Sequence, residues 1–128
     1  MSHFTHIKTR FQNISYLEKA LSKLNIAYKQ EQKLNDSSKS FYTNLVIPQS
    51  NGYNIEFSWN GQDYDLIVDM SFWEQPYPIE NFITKISQKY AGEVIMSESQ
   101  KMGFEPVNYQ HNSDGSKILV LERWNNEK

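Results

Sequence analysis

Apolar positions along the chain switch between alternating and helical spacing, and the switches mark out its elements. Phe4–Phe11 mixes Phe, Thr, Ile and His in short alternation and predicts a strand. Ile14, Leu17, Leu21 and Leu24 then recur at intervals of three and four, one face of a helix. Asn13, or Ser15, is its predicted cap, and Asn25 its left-handed terminator. A polar strand is predicted over residues 27–34, followed by an Asn35-Asp36-Ser37-Ser38 loop. Residues 41–47 read as a strand stopped by Pro48, and Gln49-Ser50-Asn51-Gly52 reads as a turn.

The next stretch is the clearest. Tyr53, Ile55, Phe57 and Trp59 alternate with polar residues, Asn60-Gly61 interrupts, and Tyr64, Leu66 and Val68 alternate with Asp63, Asp65 and Asp69. Asn-Gly between alternating runs predicts a hairpin with a two-residue turn, because both central residues of that turn need positive φ. The implied register pairs Phe57 with Tyr64 and Ile55 with Leu66 on one face, and Glu56 with Asp65 on the other.

Beyond Pro76 and Pro78 a second helix is predicted, burying Phe82, Ile83, Ile86 and Tyr90. Gly92 is expected to break or bend it. Residues 94–102 read as a continuation, with Val94-Ile95-Met96 as a possible short strand and Gly103 as the C-terminal glycine. Residues 104–110 and 117–124 flank Ser113-Asp114-Gly115 as a second hairpin. The continuous apolar run Ile118-Leu119-Val120-Leu121 predicts a central strand covered on both faces. Each half offers a helix, a left-handed cap and a pair of strands, the pattern of a duplication or of a common way to close an antiparallel sheet. The resulting expectation is one α+β domain over residues 1–128: an antiparallel sheet with two to three helices packed on one face.

Composition narrows the function classes. At 38% hydrophobic and 14% aromatic residues, the 128-residue chain has the core formers of a folded domain. A net charge of −2, with basic residues scattered rather than in blocks, argues against a nucleic-acid partner. The absence of cysteine excludes disulfides, thiolate metal sites and cysteine nucleophiles. No apolar run is long enough for a transmembrane helix, so membrane insertion is not expected. The opening Met1-Ser2-His3-Phe4 enters patterned sequence directly, as expected of a protein working where it is translated. Phosphate loops, His-Glu-x-x-His and nucleophile-elbow motifs are missing, and the five glycines are accounted for by turns and caps. No cofactor is expected, and no catalytic residue is assigned.

Two constellations remain. Phe72-Trp73-Glu74-Gln75-Pro76-Tyr77-Pro78 is a stiff aromatic loop, and Trp124 stands beside Arg123 near the end of the chain. Trp73, Tyr77 and Trp124 are therefore candidate contacts for a protein partner, because Trp and Tyr dominate interface hot spots. The alternative is that they fold back over the core. Glu56 and Asp65, placed opposite each other, form the second constellation: a candidate site for a hard cation or for acid/base chemistry. Against it stands an ordinary solvated face with a lysine neighbour. His3 and His6, three apart on a strand, point to opposite faces and do not make a shared metal site. The leading reading is a non-enzymatic binding or assembly module, with a carboxylate enzyme as alternative and an RNA-contacting aromatic sheet as a weaker one.

Met1-Ser2-His3-Phe4 with Ile7-Lys8-Thr9, Trp59-Asn60-Gly61 with Tyr64-Asp65-Leu66, Gly103-Phe104, and Asp114-Gly115 followed by residues 119–124 occur in an order that resembles one family. It is the uncharacterised plastid and cyanobacterial family known as hypothetical chloroplast reading frame thirty-five. The resemblance covers nearly the whole chain. It implies a plastid-stromal protein, or a cytoplasmic one in a cyanobacterium, and brings no established activity. The excess of Lys over Arg and the frequent Asn and Ile are compatible with AT-rich coding.

Overall fold

A computed structural model describes residues 3–37, 39–111 and 117–123, with side chains described up to residue 103. The elements run β1 (Phe4–Phe11), α1 (Ile14–Lys23), β2 (Lys29–Asn35), β3 (Ser40–Ile47), β4 (Ile55–Trp59), β5 (Tyr64–Asp69), a 3-10 turn (Met70–Phe72), α2 (Ile79–Lys101), β6 (Phe104–His111) and β7 (Lys117–Arg123). The first five strands form an antiparallel sheet in the order β1-β5-β4-β3-β2. β1 and β2 thus lie at opposite edges, and the segment containing α1 carries the chain from one edge to the other. The architecture is the expected α+β arrangement.

Local chemistry sets the ends of the helices. The Asn13 side chain accepts from the Tyr16 N–H, satisfying one of the amides that open α1. At the other end Asn25 takes φ 58°, with Ile26 N donating to Leu21 O and Asn25 N donating to Ser22 O. This paired arrangement closes the last carbonyls of the helix. Gly103 ends α2 in the same region at φ 83°, donating to Gln100 O. Contrary to the expected break, α2 runs on through Gly92, and it continues through Val94-Ile95-Met96 as the helical reading of residues 94–102 expected. A single glycine costs about 1 kcal/mol in a helix, which the packing of a 23-residue helix absorbs.

The core lies between one face of the sheet and the two helices. Leu45, Ile47, Ile55, Phe57, Tyr64, Leu66 and Val68 point to it from alternate strand positions. Leu17, Ala20 and Leu21 of α1 and Ile79, Phe82 and Ile86 of α2 close it from above. Tyr90, from the predicted stripe of α2, is half-buried and ties the helices together. Its hydroxyl accepts from Gln12 N and Asn13 N, and its ring packs on Phe11 and Tyr16. Lys23 of α1 forms an ion pair with the buried Glu93 of α2. Burial pushes the Tyr64 phenol above its ordinary pKa, and its hydroxyl donates to Thr43 O.

The β4–β5 hairpin forms with the expected faces but a different register. Phe57 stands opposite Leu66, Ser58 opposite Asp65, and Glu56 opposite Ile67. The shift is two residues, so core and solvent faces are preserved while every cross-strand pair changes. The cause is the Asn60 side chain. Its Oδ1 accepts from Gln62 N and Asp63 N, and Asn60 N donates to Asp63 O, making a four-residue loop of 60–63 instead of a two-residue turn. Gly61 sits at φ 101° inside it.

A second correction concerns β7. It pairs with β6 in a separate two-stranded sheet and is not a central strand among the described residues. A continuous apolar run marks strand character but does not by itself fix the number of neighbours.

Asn44 ends the β3–β4 ladder. It is buried on the sheet face away from the helices, where its Oδ1 accepts from Trp59 N and its Nδ2 donates to Glu56 Oε1 and Ser58 Oγ. Beyond it β2 and β3 continue as a two-stranded ribbon, tipped by the exposed cross-strand pair Leu34 and Phe41. Asn44→Leu leaves the Trp59 amide and the Glu56 carboxylate without these partners. The expected loss is about 1–3 kcal/mol of unfolding free energy, measured by urea denaturation.

Candidate interaction surface

The loop between β3 and β4 is fastened to the segment that follows β5, and one side chain makes most of the connection. Gln49 is buried, and its amide is fully used. Nε2 donates to Tyr53 O and to Phe72 O, while Oε1 accepts from Glu74 N and Gln75 Nε2. Asn51 Nδ2 donates to Phe72 O as well, and Asn51 Oδ1 accepts from Tyr53 N. Ser50 Oγ donates to Glu74 Oε2. Gly52 at φ 83° lets the loop turn tightly enough for these bonds, its N–H donating to Gln49 O. At the base, Asp69 Oδ1 caps the 3-10 turn by accepting from Ser71 N.

This fastening fixes two rings at the surface. Tyr53 and Phe72 stack with centroids 3.7 Å apart and planes within 3°. They remain 40% and 36% exposed, and Met70, two residues before Phe72, is 46% exposed. An exposed aromatic pair held by buried polar bonds has little conformational freedom left to lose when a partner covers it.

Trp73 and Tyr77 are placed one step further in. Trp73 is half-buried, donates from Nε1 to Tyr77 O, and packs edge-on to Phe82 with centroids 5.0 Å apart. Tyr77 is also half-buried and tilts over Phe82, with Lys85 Nζ 5.4 Å from its ring centre. Both rings join the core cluster at the entry of α2. Trp124 lies outside the described residues. Trp73 and Tyr77 of the 72–78 loop stood out in the sequence, but neither Phe72 of that loop nor Tyr53 of the β3–β4 loop did. The available signal was the spacing of Trp73, Tyr77 and Phe82, which lets the first two fold onto the third and leaves Phe72 outward.

The two candidate carboxylates are on one sheet face but not opposite each other, a correction that follows from the β4–β5 register. Glu56 accepts from Asn44, and Asp65 accepts from Asn60 Nδ2. Across the other ladder, Asp65 stands in register with Lys8 of β1. The expected like-charge pair is thus replaced by polar and opposite-charge neighbours. His6 and His3 are exposed. Among the described residues no group of three or more His, Cys, Asp or Glu is placed to hold a metal ion. No helix among them is long and apolar enough to cross a membrane.

The described residues therefore define a small sheet-and-helix protein that carries an exposed stacked aromatic pair, Tyr53 and Phe72, at its surface. Comparison with known proteins gives its family. Residues 20–120 match the family described as "Protein of unknown function (DUF1257)". An "Uncharacterized protein ycf35" of Trieres chinensis is 59% identical over 119 residues, covering 91% of this chain and 93% of that protein. Proteins of the same name are 39% identical in Guillardia theta, covering 97% of this chain and 98% of that protein, and 38% identical in Pyropia yezoensis, covering 98% and 99%. The chain belongs to this uncharacterised plastid family, as its resemblance implied. No solved structure matches it.

Proposed function

We propose that the chain is a non-enzymatic protein-binding or assembly module of the plastid stroma, and that its partner docks on the Tyr53–Phe72 stack. The supporting observation is the combination of exposure with fixation: two stacked rings at the surface, seated by the buried Gln49. Aromatic side chains that are already ordered supply most of the energy of many interfaces. Met70 widens the patch, and the Trp73–Tyr77–Phe82 packing supports it from behind. The partner presents an apolar side chain to the stack.

The test is recovery of partners from a stromal extract with tagged wild-type protein, a Tyr53→Ser/Phe72→Ser variant, and a Phe41→Ser control. Phe41 is also exposed but stands at the opposite end of β3 from the loop that carries Tyr53. A partner held by wild type and control should bind the double variant at least about tenfold more weakly, the loss of a hot-spot pair. An identical partner set, equally retained by all three proteins, excludes the patch as the contact.

A further inference from the structure

The geometry points to a second interaction surface, distinct from the aromatic patch: the free edge of β2 pairs antiparallel with β2 of a second copy, joining two sheets into one. The two edges of the sheet are treated differently. β1 is broken by a bulge between Lys8 and Phe11, with Arg10 at φ 64°. Irregularity of this kind is a common defence of an edge strand against pairing. β2 has none. Its register against β3 is uninterrupted from Lys29↔Val46 to Asn35↔Ser40, it contains no proline, and all seven of its residues are exposed. Among the described residues no strand pairs with its outer side. It therefore presents a regular row of backbone donors and acceptors to solvent.

The sequence of the strand, Lys29-Gln30-Glu31-Gln32-Lys33-Leu34-Asn35, selects its own copy as the occupant. Full antiparallel overlap of the strand with itself places Gln32 opposite Gln32 and Lys29 opposite Asn35. In that same register Glu31 of each copy falls opposite Lys33 of the other, twice over the two-fold axis. Within one chain Glu31 and Lys33 already form an ion pair on the sheet face away from the helices. Pairing two copies turns these four groups into a square in which every adjacent corner has opposite charge. On the helix side Gln30 stands opposite the exposed Leu34 of the other copy. The register two residues away, with Glu31 opposite Glu31 and Lys29 opposite Lys33, sets like charges together and is disfavoured. This surface is remote from the stack: β2 flanks the outside of β3, whereas Tyr53 lies past the β3 end, across the sheet from the 36–39 turn.

Sedimentation equilibrium of the full chain, from low micromolar to submillimolar concentration, tests the proposal. Wild type is expected to dimerise. Glu31→Lys and Lys33→Glu are each expected to weaken dimerisation by about tenfold or more, since each replaces two attractive pairs by two repulsive ones. An equimolar mixture of the two single variants restores opposite charges across the interface, and the heterodimer is expected to associate more tightly than either variant alone. The Glu31→Lys/Lys33→Glu double variant should regain dimerisation by itself. Both positions are exposed, so far-UV circular dichroism should show all variants folded. Wild type that stays monomeric over the whole range, or single variants that dimerise as well as wild type, overturns the assignment. Neither result bears on the aromatic patch, whose variants are read separately.

Discussion

Phe57→Ala is expected to lower the unfolding free energy by about 3–5 kcal/mol, the range for removing a buried aromatic ring from a packed core. Phe57 lies in β4, the middle strand of the five, and is 1% exposed. Leu45 and Leu66 flank it in register, and Phe11 packs on it with ring centroids 6.2 Å apart. No solvent-side neighbour can collapse into the space the ring leaves, so the cavity term adds to the lost transfer energy. For a domain whose total stability is about 5–15 kcal/mol, this places the variant near its unfolding threshold at growth temperature. Urea denaturation followed by tryptophan fluorescence reads the loss. Phe41→Ala, at a position 69% exposed, is the control and is expected to change stability by about 0.5 kcal/mol or less.

Gln49→Leu is expected to remove about 2–4 kcal/mol, and to do so locally. Four hydrogen bonds end on this side chain, and an aliphatic replacement satisfies none of them. Each is worth about 0.5–1.5 kcal/mol net, and the Tyr53 and Phe72 carbonyls lose a buried donor at the same time. The core cluster does not include Gln49, so the loss appears first as opening of the 49–53 loop and the 70–75 segment. Hydrogen exchange resolves this. The Glu74 amide, which donates to Gln49 Oε1, should exchange tens of times faster while amides of β4 and β5 keep their protection. Partner binding at the Tyr53–Phe72 stack should fall with it, although neither ring is changed. Unaltered exchange at Glu74 together with unaltered binding counts against the fastening role of Gln49.

Much of the fold was legible because its elements obey simple periods. The three- and four-residue spacing of Ile14, Leu17, Leu21 and Leu24 gave α1, and Asn13 and Asn25 gave its ends. Strict alternation gave the faces of β4 and β5. What failed was finer than periodicity. The two-residue turn at Asn60-Gly61 was inferred from backbone preference alone, whereas the Asn60 side chain recruits Gln62 and Asp63 into a longer loop. Glu56 and Asp65 lost their face-to-face placement as a result. The central position assigned to β7 came from its apolar composition, and pairing is a property of partners that composition does not record.

The candidate surface was half legible. Aromatic density marked the loop around Trp73, but not which rings would be retained by the core. Trp73 has an N–H that finds the Tyr77 carbonyl and a flat edge that meets Phe82, so burial satisfies it. Phe72 instead meets Tyr53, nineteen positions earlier, across a contact that no local pattern announces. Gln49, read only as the first residue of a turn, is the residue that brings the two segments together.

The placement of β1 beside β5 has a consequence for how the protein comes off the ribosome. Strands β2 to β5 follow one another as neighbours and can zip together as each is made, but β1, the earliest synthesised, has no seat until Tyr64–Asp69 has emerged. Its partner is the last strand of the sheet in chain order, so closure joins distant parts of the polypeptide, the slow kind of contact in folding. During translation β1 therefore waits, with Ile7 and Phe11 not yet covered by the core, in the interval when nascent-chain chaperones act.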